Sequence, residues 1–298
     1  MNKSATSPLP LQRKGRNAFK QLDAFIRLAL KEDVGDGDHT SLATIPANSK
    51  EKAQLIIKEN GMLAGIQFAK RIFKIVDKDL KVKTLLNDGA LIKKGDIALY
   101  VEGKAQSILK AERLVLNSMQ RMSGIATQTN RIVSLCKGTK AKVLDTRKTT
   151  PGIRMLEKWA VAIGGGTNHR KGLYDMILIK DNHVDYAGGI KQAIDAANIY
   201  LKRKKKKLTI EIETRNLNEV REALDAGNIQ RIMLDNFSPD QLKEAVKLIS
   251  GEFETEASGG IGEHNIKQYA QSGVDFISVG ALTHSVKSLD MSLKAVKK

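Results

Sequence analysis

The sequence predicts an α/β protein in two parts: a small α+β domain, then alternating strands and helices that build a β/α barrel. Three observations carry this reading. From residue 141 onward, short strand candidates stop at Asp145, Lys180, Glu213, Asp235, Ser258 and Gly280. The spacings after Glu213 are 22, 23 and 22 residues, the length of one strand–helix unit, and helical patterning follows most of the strands. Before residue 141 the texture differs, with strand-like runs cut by glycine-containing turns. Alternating strands and helices imply a parallel sheet, closed or open. Active groups of a β/α barrel gather at the C-terminal ends of its strands, so six consecutive ends with chemically useful residues favour the closed form.

The elements follow in order. Residues 19–30 (FKQLDAFIRLAL) set Leu22, Phe25, Ile26 and Ala29 on one helical face. The acidic segment EDVGDGDHTS lacks the ligand spacing and closing glutamate of a calcium loop and reads as a turn. AQLIIKEN, KVKTLL and IALYVEG are strands, separated by turns such as NDGALIKKGD. A long amphipathic helix is expected from about Ser107 to a break at Ser123–Gly124, with a second helix beyond it. The boundary is placed there, giving a first domain over 1–123, a barrel over 124–285 and a C-terminal helix over 286–298 that packs back towards the first domain. The wider spacings of 35 and 33 residues before Glu213 leave room for additional elements.

Composition narrows the class. A chain of 298 residues, 41% hydrophobic and 28% charged, is neither disordered nor fibrous. No uncharged apolar run approaches the ~18–20 residues that span a bilayer. The N-terminal stretch has charge but no apolar core, so no signal peptide is expected. The single cysteine, Cys136, excludes an intrachain disulfide and any multi-cysteine metal cluster, and a reducing cytoplasm is the expected location. The net charge is 50 − 33 = +17, of which Lys202 to Lys207 contribute six. That run separates a helical stretch from a strand, where a solvated loop is its ordinary reading. The surplus charge suits either a nucleic-acid or membrane surface, or an enzyme with polyanionic substrates. Aromatic residues at 4% supply base stacking poorly, which argues against nucleic acid.

Chemistry concentrates in residues 145–183. Arg147, Lys148, Arg154, His169, Arg170, Lys171 and Lys180 lie there with three consecutive glycines. Arg147 and Lys148 fall just past a strand end, ahead of a Pro-Gly helix start. A surface salt bridge would explain any one of these cations, but so many like charges together call for an anion. Glu213 and Asp235 are carboxylates at consecutive strand ends, suited to Mg²⁺, to ribose hydroxyls, or to a developing positive charge. A structural ion pair with Lys180 or Lys148 is the plainer alternative for them. SGGIGEHN and SVGALTHS follow the last two strands, where barrels often bind phosphate. His169 is a site candidate. His183 is expected to hold a loop, and His264 and His284 to lie near the phosphate end. No HExxH, G-x-S-x-G, Walker A or post-strand G-x-G-x-x-G sequence is present.

AERLVLNSMQRMSGIAT, LDTRKTTPGIRMLEKWA, GGGTNHRKGLYDMILIKDNH, IEIETRNLNEVREALDAG, IMLDNFSP, EASGGI and VGALTHS occur in this order. Over roughly residues 20–295 the chain resembles the quinolinate phosphoribosyltransferases, with TRKTTPG and GGGTNHR the most specific blocks. Two departures are visible: Ala162–Ile163 stands where many members carry Arg-Cys, and the 202–207 lysine run looks peculiar to this chain. The resemblance implies an N-terminal α/β sandwich domain and an incomplete, TIM-like C-terminal α/β barrel. It implies transfer of quinolinate onto 5-phosphoribosyl-1-pyrophosphate, giving nicotinate mononucleotide, pyrophosphate and CO₂ for de novo NAD synthesis, with Mg²⁺ required. Arg147, His169, Arg170 and Lys180 would hold the quinolinate carboxylates, and Lys148 would approach the pyrophosphate or the ring. Glu213 and Asp235 would contact ribose hydroxyls, directly or through Mg²⁺. Ser258, Gly259, Gly260 and Gly280 would cradle the 5-phosphate. Arg113 would reach the neighbouring subunit's site in a homodimer or higher oligomer with composite sites. Rival readings are an aldolase with Lys180 as Schiff-base nucleophile, a nucleic-acid binder, and a sister enzyme for another pyridine or pyrrole acid.

Overall fold

The computed structural model describes residues 15–296; the stretch 1–14, which holds most of the segment read as lacking a signal peptide, lies outside them. The chain begins with α1 (Gly15–Val34), α2 (His39–Thr44), β1 (Lys50–Ile57), β2 (Gly61–Met62), α3 (Ile66–Val76), β3 (Lys81–Thr84), β4 (Leu91–Ile92), β5 (Ile97–Lys104) and α4 (Ala105–Leu135). There follow β6 (Lys142–Leu144), α5 (Arg154–Ile163), β7 (Ile177–Ile179), α6 (Asp181–Ala187), α7 (Ile190–Lys204), β8 (Ile210–Thr214), α8 (Leu217–Ala226) and β9 (Arg231–Asp235). The chain ends with α9 (Pro239–Ile249), β10 (Glu254–Ser258), α10 (Ile266–Ala270), β11 (Phe276–Ser278), α11 (Ala281–His284) and β12 (Met291–Ala295). Contacts divide these elements into two units. One takes the N-terminal part through Gln128, Met155–Gly165 and the chain from Val286; the other takes Thr129–Arg154 and Gly166–Ser285.

In the first unit, an antiparallel sheet in the order β12-β1-β5-β3 forms from strands of period two. Ala53, Leu55 and Ile57 of β1 are buried while their neighbours are less so, and Leu55 faces Leu99 across the β1–β5 ladder. Helix α3 buries Ile66, Phe68, Ala69, Ile72 and Phe73, and α1 contributes Leu22 and Ile26 to the core. Arg71 of α3 pairs with Asp23 of α1 beside the tilted Phe25–Phe68 ring contact. The acidic segment is indeed turn chemistry: Asp38 caps α2 by accepting the Ser41 N–H at 3.1 Å.

Two expectations are corrected here. The helix does not break at Ser123–Gly124, because α4 runs unbroken for 31 residues and the division between units falls within it after Gln128. Gly124 marks a close approach: a Cβ there would run into the carbonyl oxygen of Lys287. Among the described residues, the C-terminal segment holds not a helix but the strand β12, which pairs antiparallel with β1 from Met291 opposite Ile57 to Ala295 opposite Ala53. Met291 and Leu293 are buried and Ser292 and Lys294 less so, a period of two that a short segment cannot distinguish from a helical turn until a strand edge is available.

The second unit is a six-stranded, all-parallel sheet in the order β6-β11-β10-β9-β8-β7. The last strand pairs with the first, which is the neighbour relation of a barrel. Only the first and second strands, β6 and β7, fail to pair in this sheet. In their place a single bridge links Leu144 to Thr167, so the loop after α5 fills the seam of an incomplete barrel. Asn216 and Ser238 cap α8 and α9 immediately after β8 and β9, so each strand hands over to its helix within a few residues. Lys202–Lys204 end α7, Lys205 closes it with φ +51°, and the run lies ahead of β8, at the strand end opposite the residues described next.

Candidate active site

The C-terminal ends of the strands open into one cavity of about 980 Å³. Eleven of the twelve residues assigned from the sequence line it. Arg147 and Lys148 come from the loop after β6, His169 and Arg170 from the seam loop, and Lys180 from the end of β7. Glu213 is the penultimate residue of β8, and Asp235 and Ser258 end β9 and β10 opposite one another in the register. Gly259 and Gly260 follow β10, and Gly280 follows β11. The twelfth residue, Arg113, lies exposed on α4 in the first unit. Because the lining draws on both unpaired edges, β6 and β7, the sheet must curl around the cavity.

The charges are segregated. Arg147, Lys148 and Arg170 make no ion pair among the described residues, and the buried Nε of Arg147 has no hydrogen-bond partner. Burial first, and then the neighbouring Arg147 cation, lower the pKa of Arg170 from its usual value. Guanidinium groups crowded in this way are suited to an anion. Lys180 differs: its Nζ donates to Glu213 Oε2 at 3.1 Å, the ion pair foreseen as the plainer alternative. Across from it, Asp235 Oδ2 accepts from Asn236 Nδ2 at 2.6 Å.

His169 is set more deeply than a surface ligand, with a side chain only 6% exposed. Its Nδ1 accepts the backbone N–H of Arg170 at 2.7 Å. Its Nε2 lies 3.1 Å from Glu211 Oε2 and 3.5 Å from Glu256 Oε2. Burial lowers the ring's pKa, but the two carboxylates outweigh it and raise it to about 9. The N–H donating into Nδ1 opposes a second proton there, so the proton common to both charge states sits on Nε2. Burial, then Glu256, pushes Glu211 up to about 7. At Glu256 burial acts in the same sense, but His169 and Arg231 outweigh it and hold the group below the usual carboxylate range.

Several participants escaped the sequence reading. Asp145 does not face the cavity. It is fully buried and accepts from the His169 N–H and the Asn168 side chain, both at 2.8 Å, tying down the seam loop. Glu211 and Glu256 precede Glu213 and Ser258 by two residues, hence share their face of the strand. That spacing was the available signal. Glu256, Asn236, Glu263, His264 and His284 also line the wall, the last two at the glycine-rich end as expected. Gly259 has φ +95°, and a Cβ on it would collide with the Asn236 side chain, so the turn after β10 needs glycine. His183 holds a loop, accepting the Lys180 N–H at 3.0 Å.

Family models settle the ancestry. The quinolinate phosphoribosyl transferase N-terminal domain matches residues 38–123, and the C-terminal domain of the same family matches residues 125–294. The chain belongs to the quinolinate phosphoribosyltransferase family. Within that family, the quinolinate phosphoribosyltransferase [decarboxylating] 1b of Nicotiana tabacum is 48% identical over 288 residues, covering 92% of this chain and 82% of that protein. A probable nicotinate-nucleotide pyrophosphorylase [carboxylating] of Bacillus subtilis is 42% identical over 273 residues, covering 92% and 93%. The solved nicotinate-nucleotide pyrophosphorylase of Francisella tularensis superimposes with a TM-score of 0.86 at 39% identity, covering 93% of this chain and 96% of that one. Among the described residues, no helix is long and apolar enough to cross a membrane.

Proposed function

We propose that the cavity joins quinolinate to 5-phosphoribosyl-1-pyrophosphate, releasing pyrophosphate and CO₂ and leaving nicotinate mononucleotide for de novo NAD synthesis. The observation that carries this reading is the segregation of charge: unpaired cations on one side, two carboxylates opposite, and glycine turns between. Quinolinate is a dianion and its partner carries several negative charges, so bringing them together requires compensating cations. Arg147 and Arg170 bind the two ring carboxylates, and Lys180 moves from Glu213 to assist. Lys148 faces the departing pyrophosphate. Backbone N–H groups of 258–260 and 280 hold the 5-phosphate. Glu213 and Asp235 contact the ribose hydroxyls and stabilise the positive charge that develops at C1 as the pyrophosphate bond breaks. The ring nitrogen attacks C1; once it is quaternary, the adjacent carboxylate leaves as CO₂, and the cations beside it stabilise the ring carbanion until it takes a proton.

Mg²⁺ suits this donor set. Glu213 and Asp235 each engage one carboxylate oxygen in the hydrogen bonds above, leaving the other for a hard cation that also takes phosphate oxygens. When bound, Mg²⁺ would supply neutralisation of the pyrophosphate charge. The functional unit of this reading is a homodimer or higher oligomer in which Arg113 of one subunit completes the partner's cavity. The place of action is the cytoplasm, a location compatible with a lone, buried Cys136. The test is release of CO₂ from carboxyl-labelled quinolinate in step with pyrophosphate, with and without a chelator. Pyrophosphate without CO₂, or turnover only with another pyridine acid, would replace the substrate.

A further inference from the structure

At the cavity floor, where Glu256 joins the lining, the barrel interior is ionic where branched aliphatic layers are usual. Glu211 of β8 and Glu256 of β10 are both 0% exposed, and neither is needed by the reaction as written. Their counter-charge rises from the opposite end of the barrel: Arg231 of β9 donates from Nη1 to Glu256 Oε2 at 3.0 Å and stacks on Phe276 at 3.9 Å from the ring centroid. Its other nitrogens hold Glu254 at the rim. Above the carboxylates sits the His169 ring, its Nε2 between them and its Nδ1 taken by the Arg170 N–H. Both ring nitrogens thus face the protein itself, Nδ1 in a hydrogen bond and Nε2 at ion-pair distance from the two carboxylates.

We propose that Glu211 and Glu256 are positioning residues for acid recognition: they clamp the Nε2–H of His169, and the clamped ring fixes the backbone that aims Arg170 into the cavity. The turn is then gripped from two sides, by Asp145 through the His169 backbone N–H and by the buried carboxylates through its side chain. Buried charges are costly unless paired, and here the two carboxylates meet the His169 ring on one side and Arg231 on the other. His169 accordingly acts through Arg170 and not as a direct carboxylate ligand. The same three side chains bring a ligand atom each within 4.8 Å of one another, which would also suit a metal ion. Arg231 already supplies the positive charge, so the set is read as an ion network.

The proposal rests on the quinolinate reading for its kinetic arm only. In the unaltered protein, a slowly exchanging downfield imidazole N–H is expected by NMR, assignable among five histidines by its loss in His169→Asn. Glu256→Gln and Glu211→Gln should each shift or broaden that resonance. Each should raise the quinolinate KM tenfold or more, with the phosphoribosyl pyrophosphate KM changed less than threefold. Glu256→Asp should restore part of the loss, and Glu254→Gln, which touches Arg231 but not His169, should leave both constants alone. A folded Glu256→Gln with an unchanged quinolinate KM overturns the proposal. So does the absence of a protected His169 N–H in the unaltered protein, a readout that survives if the glutamine variants do not fold. Stoichiometric metal in the purified protein that disappears in Glu256→Gln would also overturn it. If quinolinate is not turned over at all, the functional reading fails while the ring resonance still reports on the clamp.

Discussion

Arg147 and Arg170 show how a single side chain carries information that composition cannot. Each makes no ion pair among the described residues, in a cavity where Lys180 already has one. A half-buried guanidinium without an ion-pair partner among the described residues is poised to meet a bidentate anion. Arg147→Ala or Arg170→Ala should therefore cost about 2–4 kcal/mol of transition-state stabilisation, roughly 30- to 900-fold in kcat/KM. Most of this should appear in the quinolinate KM under steady-state assay. Asp235 belongs to the other half of the cavity. Asp235→Asn removes a charge but little volume, so the fold should persist while kcat falls on the order of a hundredfold and quinolinate affinity stays close to that of the parent. Equal kcat and equal Mg²⁺ dependence would remove Asp235 from the chemistry.

At the scale of elements, the second unit was legible because each β/α unit repeats the same local logic. RIMLD and FETEAS are short runs that stop at polar residues, and Asn216 and Ser238 supply helix caps where the strands end. The two failures came from elements whose partners are remote. Gly124 reads as a break in a local window, yet the helix continues and the glycine serves a contact with Lys287. Residues 291–295 are a strand because β1 offers them an edge more than 230 residues earlier in the chain. Leu293, opposite Leu55, should show this energetically: Leu293→Ala should lower the unfolding free energy by about 2–4 kcal/mol in a denaturant titration. A helical C-terminus would predict a far smaller loss. The lysine run is the converse case, an arresting sequence feature placed away from the site. Replacing Lys204 to Lys207 by Ser should leave kcat/KM within about threefold at moderate salt, because exposed charges beyond a Debye length of about 8–10 Å are screened. A tenfold loss would show that long-range steering matters.

At the scale of the whole molecule, the outstanding residue is Arg113, exposed on α4 and outside the barrel unit yet embedded in a block that resembles the family's active-site sequence. A two-fold dimer would let each first unit complete its partner's cavity, giving two equivalent composite sites. Arg113→Ala and Glu213→Ala should each be nearly inactive. Mixed with free subunit exchange, half of the dimers are hybrids, each with one doubly defective and one intact site, so roughly a quarter of the parental activity should return. A mixture that stays inactive after proven exchange would place Arg113 in its own subunit's chemistry.

Sequence by itself determined what local periodicity and residue type encode: the parallel α/β second half, the strand ends, and eleven of the residues that line the cavity. Strand ends are set by local patterning, and in a barrel all of them converge, so a list of ends is already a list of neighbours. Tertiary structure decided what depends on distant partners. It decided that the seam between β6 and β7 is filled by the 164–176 loop, and that Lys180 is paired while Arg147 is not. It also decided that the histidine assigned to the substrate lies 3.1 Å from Glu211 and 3.5 Å from Glu256. Those carboxylates share a strand face with recognised site residues, but two residues of separation along a strand fix only the face. Which groups meet across the barrel interior, and whether a buried charge finds its counter-charge, is set by closure of the sheet, where interactions too costly to leave unpaired select their partners.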